Sequence, residues 1–197
     1  LIGTQMIVKG HDFPNVTLYG VLAADLSLYI SDYRAAERTF ALLCQAAGRA
    51  GRGDLPGEAV IQSYNPEHYS IQAAARQDYE AFFAEEMKFR TLMGYPPAAH
   101  LMAVLMTSED EALLNKGAYY LKVFAGRIRT DAGLEIIGPA SPAIGKVKDQ
   151  YRKVLYLKQE IYSKHTEAKE KMQQYIEINE GFQNIRIQFD FDPVQTF

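Results

Sequence analysis

Apolar residues first gather in an unbroken block from Val16 to Ala24, VTLYGVLAA, rich in strand formers and closed by Asp25. That pattern predicts a strand buried on both faces. Ser31 or Asp32 can cap a following helix, in which Ala36, Phe40, Leu43 and Ala47 recur at helical spacing and form one apolar face up to Gly48. EAVIQSY, residues 58–64, reads as a second buried strand, so the first sixty or so residues predict a strand-helix-strand α/β layer. Asp78 to Met93 is an amphipathic charged run carrying Phe82, Phe83, Met87 and Phe89. The GYPP that follows, residues 94–97, stops the helix and places the best domain boundary there.

The pattern then alternates over shorter distances. AHLMAVLM, residues 99–106, reads as a strand, and Ser108 with Glu111 as a capping box. Leu113, Gly117, Tyr120, Leu121, Phe124 and Ile128 would share one helix face, the helix ending by Gly133. LEIIGP and YRKVLYLK predict the next two strands. Ala168, Met172, Tyr175 and Ile176 mark a second helix ended by Gly181. In the closing IRIQFDFD, Ile185, Ile187, Phe189 and Phe191 alternate with polar positions, the mark of a half-buried strand facing the helices. The order β-α-β-β-α-β predicts a ferredoxin-like sandwich. The expected organisation is therefore α/β then α+β: residues 1–75, a helix and Pro-rich linker over 76–97, and a C-terminal domain over 98–197. No internal repeat or low-complexity tract interrupts it.

Composition narrows the function classes. The 197 residues are 48% hydrophobic, enough for a real core, and the net charge of -3 excludes a uniformly basic nucleic-acid coat. Any affinity for a polyanion must come from a local patch. The single cysteine, Cys44, excludes an internal disulfide framework or a cysteine-cluster zinc site within these residues and suits a reducing compartment, with the cytoplasm as the default. No stretch reaches the roughly 18 to 20 apolar residues of a membrane helix. The opening LIGTQMIVKG lacks an initiating Met and begins inside what reads as a motif, which suggests a piece of a longer protein.

Two stretches could carry phosphate chemistry. QAAGRAGRG, residues 45–53, sets Arg49 and Arg52 among Gly48, Gly51 and Gly53, so two planar cationic forks project where the backbone can approach another surface closely. A solvated glycine-arginine loop is the plainer alternative. GTQMIVKGHDFPNV, residues 3–16, carries Thr4, Gln5, Lys9, His11 and Asp12 into the first strand, and strand ends in α/β sheets are where ligands bind. It could equally be a turn.

Taken together, GTQMIVKGHDFPNVTL and QAAGRAGRG resemble motifs V and VI of superfamily 2 helicases. Their wording resembles the PriA family (primosomal protein N-prime) of replication-restart helicases, and DYRAAER, GYPP, IIGP and FDFDP extend the likeness along essentially the whole chain. The resemblance implies the end of a second RecA-like lobe followed by a C-terminal domain. It implies that Gln45, Arg49 and Arg52 face ATP phosphates across an interlobe cleft, with Arg52 as the arginine finger. Gly3, Thr4, Lys9, Gly10 and Asp12 would then form motif V, with Gly10 and Asp12 on the nucleotide side and Thr4 and Lys9 on the DNA side. ATP and magnesium, and zinc in the full-length parent, are implied as well. The chain has no GxxxxGK[ST] loop, no acidic magnesium motif and no paired cysteines, so alone it is expected not to hydrolyse ATP.

Between Lys146 and Lys171 lie eight bases and four acids, a net of +4. With Tyr151, Tyr156 and Tyr162 interleaved, this segment could track a nucleic-acid backbone, Lys146, Lys148, Arg152 and Lys153 leading. A solvated charged face is the alternative. The resemblance adds branched and single-stranded DNA, the acidic tail of single-stranded-DNA-binding protein and other primosome proteins as partners, no membrane, and a bacterial cytoplasmic, nucleoid-associated location. A non-catalytic ferredoxin-like module that binds nucleic acid or peptide is the competing reading, and a ligand-sensing regulatory domain a third. Asp190 and Asp192, two residues apart on one predicted strand face, could bind a cation or simply be its solvated side. Cys44 reads as a packing residue and His68 as a loop histidine.

Overall fold

The computed structural model describes residues 2–3, 16–48, 50, 56–128 and 133–194. They form mixed α/β structure in two compact units, which divide between Phe89 and Arg90.

In the first unit, β1 (Leu18–Val21) pairs in parallel with β2 (Glu58–Ile61), Leu18 opposite Glu58. A 3-10 turn, Ala24–Ser27, follows β1, and α1 (Ala35–Ala47) leads back. Each strand alternates exposed with half-buried positions, which corrects the expectation of strands buried on both faces. The reason is geometric: among the described residues the two strands form a two-stranded sheet, and each side chain alternates between a covered and an open side. The buried stripe of α1 is Ala35, Thr39, Phe40, Leu43 and Ala46, one residue out of register from the predicted Ala36 and Ala47. Asp32 does not cap α1 directly, because the cap position falls on Arg34. Its carboxylate accepts the Arg34 N–H at 2.9 Å instead, and pairs with Arg38 at 2.9 Å.

A helix absent from the sequence reading, α2 (Tyr69–Arg76), packs against α1. The predicted loop residue His68 is its N-cap, with Nδ1 accepting the Ser70 N–H at 3.3 Å. α3 (Tyr79–Met93) opens with the Asp78 carboxylate on the Ala81 N–H at 2.9 Å. Phe82 from α3 stacks on Phe40 at 4.2 Å between ring centroids and closes a core with Leu43, Ile71 and Ala74.

The second unit begins in the last turn of α3. β3 (His100–Ser108), α4 (Glu111–Ala125), β4 (Glu135–Ala140), β5 (Lys146–Val147), β6 (Gln150–Gln159), α5 (Tyr162–Ile178) and β7 (Arg186–Phe191) follow. The strands lie in the order β4-β6-β3-β7, every neighbouring pair antiparallel, with β5 folded back on β6 as a hairpin. Met102, Val104 and Met106 of β3 and Leu155 and Leu157 of β6 meet Leu114, Leu121, Ala168 and Met172 of the helices in one core. Ile185 is buried there, with Ile187, Phe189 and Phe191 packed beside it, so the closing alternation behaves as its pattern predicts.

Three local expectations change. The N-cap of α4 is Asp110, which accepts the Leu113 N–H at 3.0 Å; Ser108 cannot cap it because it is still paired in β3 with Tyr151. Tyr120 leaves the buried face and is 47% exposed, since Leu114, Gly117, Ala118, Leu121 and Ala125 fill it. Asp190 and Asp192 do not share a strand face: β7 ends at Phe191, and Asp192 turns to φ 46°.

Candidate nucleic-acid interface

α1 delivers Gln45 to its last turn, where the side chain is exposed and has no hydrogen-bond partner among the described residues, leaving its amide open to a ligand. Arg49 and Arg52, and with them Thr4, Gln5, Lys9, Gly10, His11 and Asp12, lie outside the described residues. Nearby in the chain, Cys44 is half-buried against the first core, as a packing residue should be, and burial pushes its thiol up. Among the described residues no group of three or more His, Cys, Asp or Glu could hold a metal ion.

The carboxyl ends of β1 and β2 are tied together by a residue that sequence reasoning took only as the end of a strand. Asp25 is 2% exposed. It accepts the Ser63 hydroxyl at 2.6 Å and the backbone N–H groups of Tyr64 at 2.7 Å and Asn65 at 3.1 Å. The Ser63 hydroxyl, aided by the two amides, holds this carboxylate below its ordinary range against the opposing effect of burial. The available signal was an acidic residue directly after an apolar block. Its consequence is that the segments following β1 and β2 are held together.

In the second unit the basic segment separates into two places. Lys146, Lys148, Arg152 and Lys153 sit on the β5–β6 hairpin, at the Ser108 end of β3. Its tip turns through Lys148 at φ 47° and Asp149 at φ 62°. The Lys146 ammonium lies 3.2 Å from Asp149 and 4.6 Å over the Tyr151 ring, and the bond to Asp149 raises its affinity for its proton. The Arg152 guanidinium donates to the Ile144 carbonyl at 3.2 Å and the Lys153 ammonium to Ser141 Oγ at 3.0 Å, so both are tied to the segment that precedes β5. Lys148 stands exposed at the tip. Ile144 and Val147 flank these cations as exposed aliphatic side chains.

The remaining bases belong elsewhere. Lys164 and Lys171 both pair with Glu167 on α5, at 3.3 and 2.6 Å, and Lys171 first, then Lys164, hold that carboxylate below its usual range. The N-terminal turn of α5 follows the end of β6 opposite the hairpin tip. Lys158 is not part of any surface patch. It is 7% exposed, donates to the Met93 carbonyl at 2.8 Å and lies 3.9 Å over Tyr95, where it closes the end of α3. Of the three interleaved tyrosines, Tyr151 packs against the core, Tyr156 is half-buried on the sheet, and Tyr162 is exposed against His100. His100 in turn contacts Asp192 at 3.0 Å, and the other Asp192 oxygen accepts the Leu101 N–H at 2.8 Å, which gives that carboxylate a structural role.

The second unit offers a hairpin carrying four cations, chemistry suited to phosphate oxygens, and the first unit separately offers an exposed Gln45 in the last turn of α1. The profile of the family described as Primosomal protein N C-terminal domain matches residues 91–194. "Replication restart protein PriA" of Bacillus subtilis is 48% identical over 156 residues, which is 77% of this chain and 19% of that protein. The protein of the same name from Rickettsia felis is 41% identical over 152 residues, 77% of this chain and 23% of the relative. That of Chlamydia trachomatis is 36% identical over 198 residues, the whole chain and 26% of the relative. The chain thus spans about a fifth to a quarter of the length of the curated relatives it matches. On this match and these identities, the chain belongs to the PriA family, and residues 91–194 are its primosomal protein N C-terminal domain.

Proposed function

We propose that these residues are the C-terminal part of an ATP-dependent 3'-5' DNA helicase that recognises stalled or branched replication forks and promotes primosome assembly for restart. The observation that carries this reading is the family match over residues 91–194, joined to relatives named for replication restart. Residues 1–75 are read as the end of a RecA-like lobe. The parallel β1–β2 pair supports it, because parallel sheets are found covered on both faces and this pair has an open one. Residues 76–97 connect it to a ferredoxin-like C-terminal domain, a reading supported by the antiparallel β4-β6-β3-β7 order with two crossover helices.

In this reading Arg52 is the finger that neutralises charge on the transferring phosphoryl group, Arg49 and Gln45 contact the phosphates, and Gly10 and Asp12 line the nucleotide side. Thr4 and Lys9 contact DNA from the lobe, and Lys146, Lys148, Arg152 and Lys153 contact it from the hairpin. ATP with magnesium, and zinc held elsewhere in the parent, complete the machinery. The acidic tail of single-stranded-DNA-binding protein and other primosome proteins are its partners in the bacterial cytoplasm. Arg52→Ala in the full-length protein should lower DNA-stimulated ATP turnover by about 10³-fold or more while DNA affinity stays within a few-fold. Steady-state ATPase and binding assays read both, and unchanged turnover removes the finger assignment.

A further inference from the structure

The outer face of α4 carries a second aromatic and cationic surface, separate in sequence from the hairpin. From Ala112 to Ile128 there is no acidic residue, while Lys116, Lys122 and Arg127 all lie in that run. None of the three makes an ion pair among the described residues, in contrast to Lys146, Lys164 and Lys171. Lys116, Tyr120 and Val123 are spaced by four and three residues, so they share one stripe along α4, and Arg127 follows in the turn just past its C-terminal end. Tyr119 and Lys122 flank it. The tyrosine rings are adjacent, 6.0 Å between centroids at 59°, and 59% and 47% exposed. The Lys116 ammonium lies 6.0 Å from the Tyr120 ring centre.

These side chains lie outside the buried face of α4. Leu114, Ala118, Leu121 and Ala125 are completely buried and supply the contact with the sheet. Exposed tyrosines have lower helix propensity than the alanine or lysine that would serve a solvated surface. Cations without an ion pair among the described residues attract a polyanion, and aromatic faces beside them stack on bases of any identity. A single nucleic-acid strand combines those two features.

We propose that the outer face of α4 and the turn that follows it bind single-stranded DNA, with Lys116 and Arg127 on backbone phosphates and Tyr119 and Tyr120 stacking on bases. This rests on the DNA-binding reading above and adds to the hairpin a second contact surface on the same domain. The test is fluorescence-anisotropy titration of the 197-residue chain with labelled oligo-dT across a salt series. Lys116→Ala/Arg127→Ala should weaken binding and flatten the log-log salt dependence by about 1.4, two phosphate contacts at about 0.7 each for a single strand. Tyr119→Ala/Tyr120→Ala should weaken it at least about fivefold with the salt slope unchanged. All four side chains are exposed, so both variants should melt like the parent chain, and circular dichroism checks this. If Lys148→Ala/Lys153→Ala abolishes binding while both α4 variants bind as the parent does, the α4 site is wrong and the hairpin reading stands. Failure of the unmodified chain to bind oligo-dT overturns both. Loss of affinity for a poly-glutamate peptide, but not for oligo-dT, in the α4 charge variant makes the partner an acidic protein segment and overturns the proposal.

Discussion

Water is excluded from the His165 ring, and that sets its chemistry. The ring is fully buried in α5, its Nε2 donates to the Leu157 carbonyl at 3.0 Å, and Nδ1 has no partner among the described residues. Burial pushes the imidazole below its ordinary range, with the Leu157 carbonyl and the nearby Asp192 carboxylate opposing and His100 reinforcing the shift. Because the folded state disfavours the charged ring, the unfolded chain takes up a proton first as pH falls. The associated stability is fully present above the unfolded value of about 6.5 and is lost as pH drops below it, at up to about 1.4 kcal/mol per pH unit. Urea unfolding at pH 7.5 and 5.5 should therefore show a smaller pH loss for His165→Gln, which can keep a donor towards Leu157, than for the parent. Equal losses would mean that the fold does not disfavour the charged ring.

At the scale of elements, most termini follow local chemistry, and the start of α4 separates two candidate caps. Asp110 reaches the Leu113 N–H, while Glu111 makes no hydrogen bond among the described residues. Asp110→Ala should cost about 1 kcal/mol, and Glu111→Ala little, whereas a capping box based on Ser108 predicts a comparable loss for Glu111. Denaturant midpoints of the two variants decide it. The same kind of local competition ends α3. Gly94 adopts φ 62°, Lys158 donates to the Met93 carbonyl and Arg90 to the Pro96 carbonyl at 2.7 Å, so two long cations satisfy carbonyls where the helix stops.

Across the whole molecule the two units differ in how completely they cover their own apolar surface. The second has a core in which Met102, Met106, Leu114, Leu121, Leu155, Leu157 and Met172 are essentially inaccessible. The first leaves Leu18, Leu22, Leu26, Ile30 and Val60 exposed around a two-stranded parallel pair. Parallel pairs with open faces and edges invite association. Residues 90–197 produced alone should unfold in one cooperative transition and remain monomeric, whereas residues 1–89 alone should self-associate. Light scattering and thermal unfolding of the two pieces measure this, and a monomeric, cooperatively folded 1–89 would show that its exposed face needs no cover.

Strict alternation in IRIQFDFD, the apolar run of AHLMAVLM and the helical spacing of Ala168 and Met172 determined strands and helices by themselves, because side-chain direction along an element depends only on local backbone period. The motif wording around Arg49 and Arg52 pointed to the family for a similar reason: it is local. Whatever depended on contacts distant in sequence was decided by the tertiary structure. Spacing assigned Tyr120 to the core, and competition with Leu121 and Gly117 for the same face turned it outward. Lys158 counted as one base of a patch until the end of α3 came to rest beside it. Asp25 closed a strand in the pattern, but its role came from Ser63, Tyr64 and Asn65, about forty residues away. The +4 segment was divided between a hairpin and a helix because β6 carries the chain from one end of the sheet to the other before α5 begins. Composition records how much charge a segment holds, and only the fold decides which of those charges can meet one ligand.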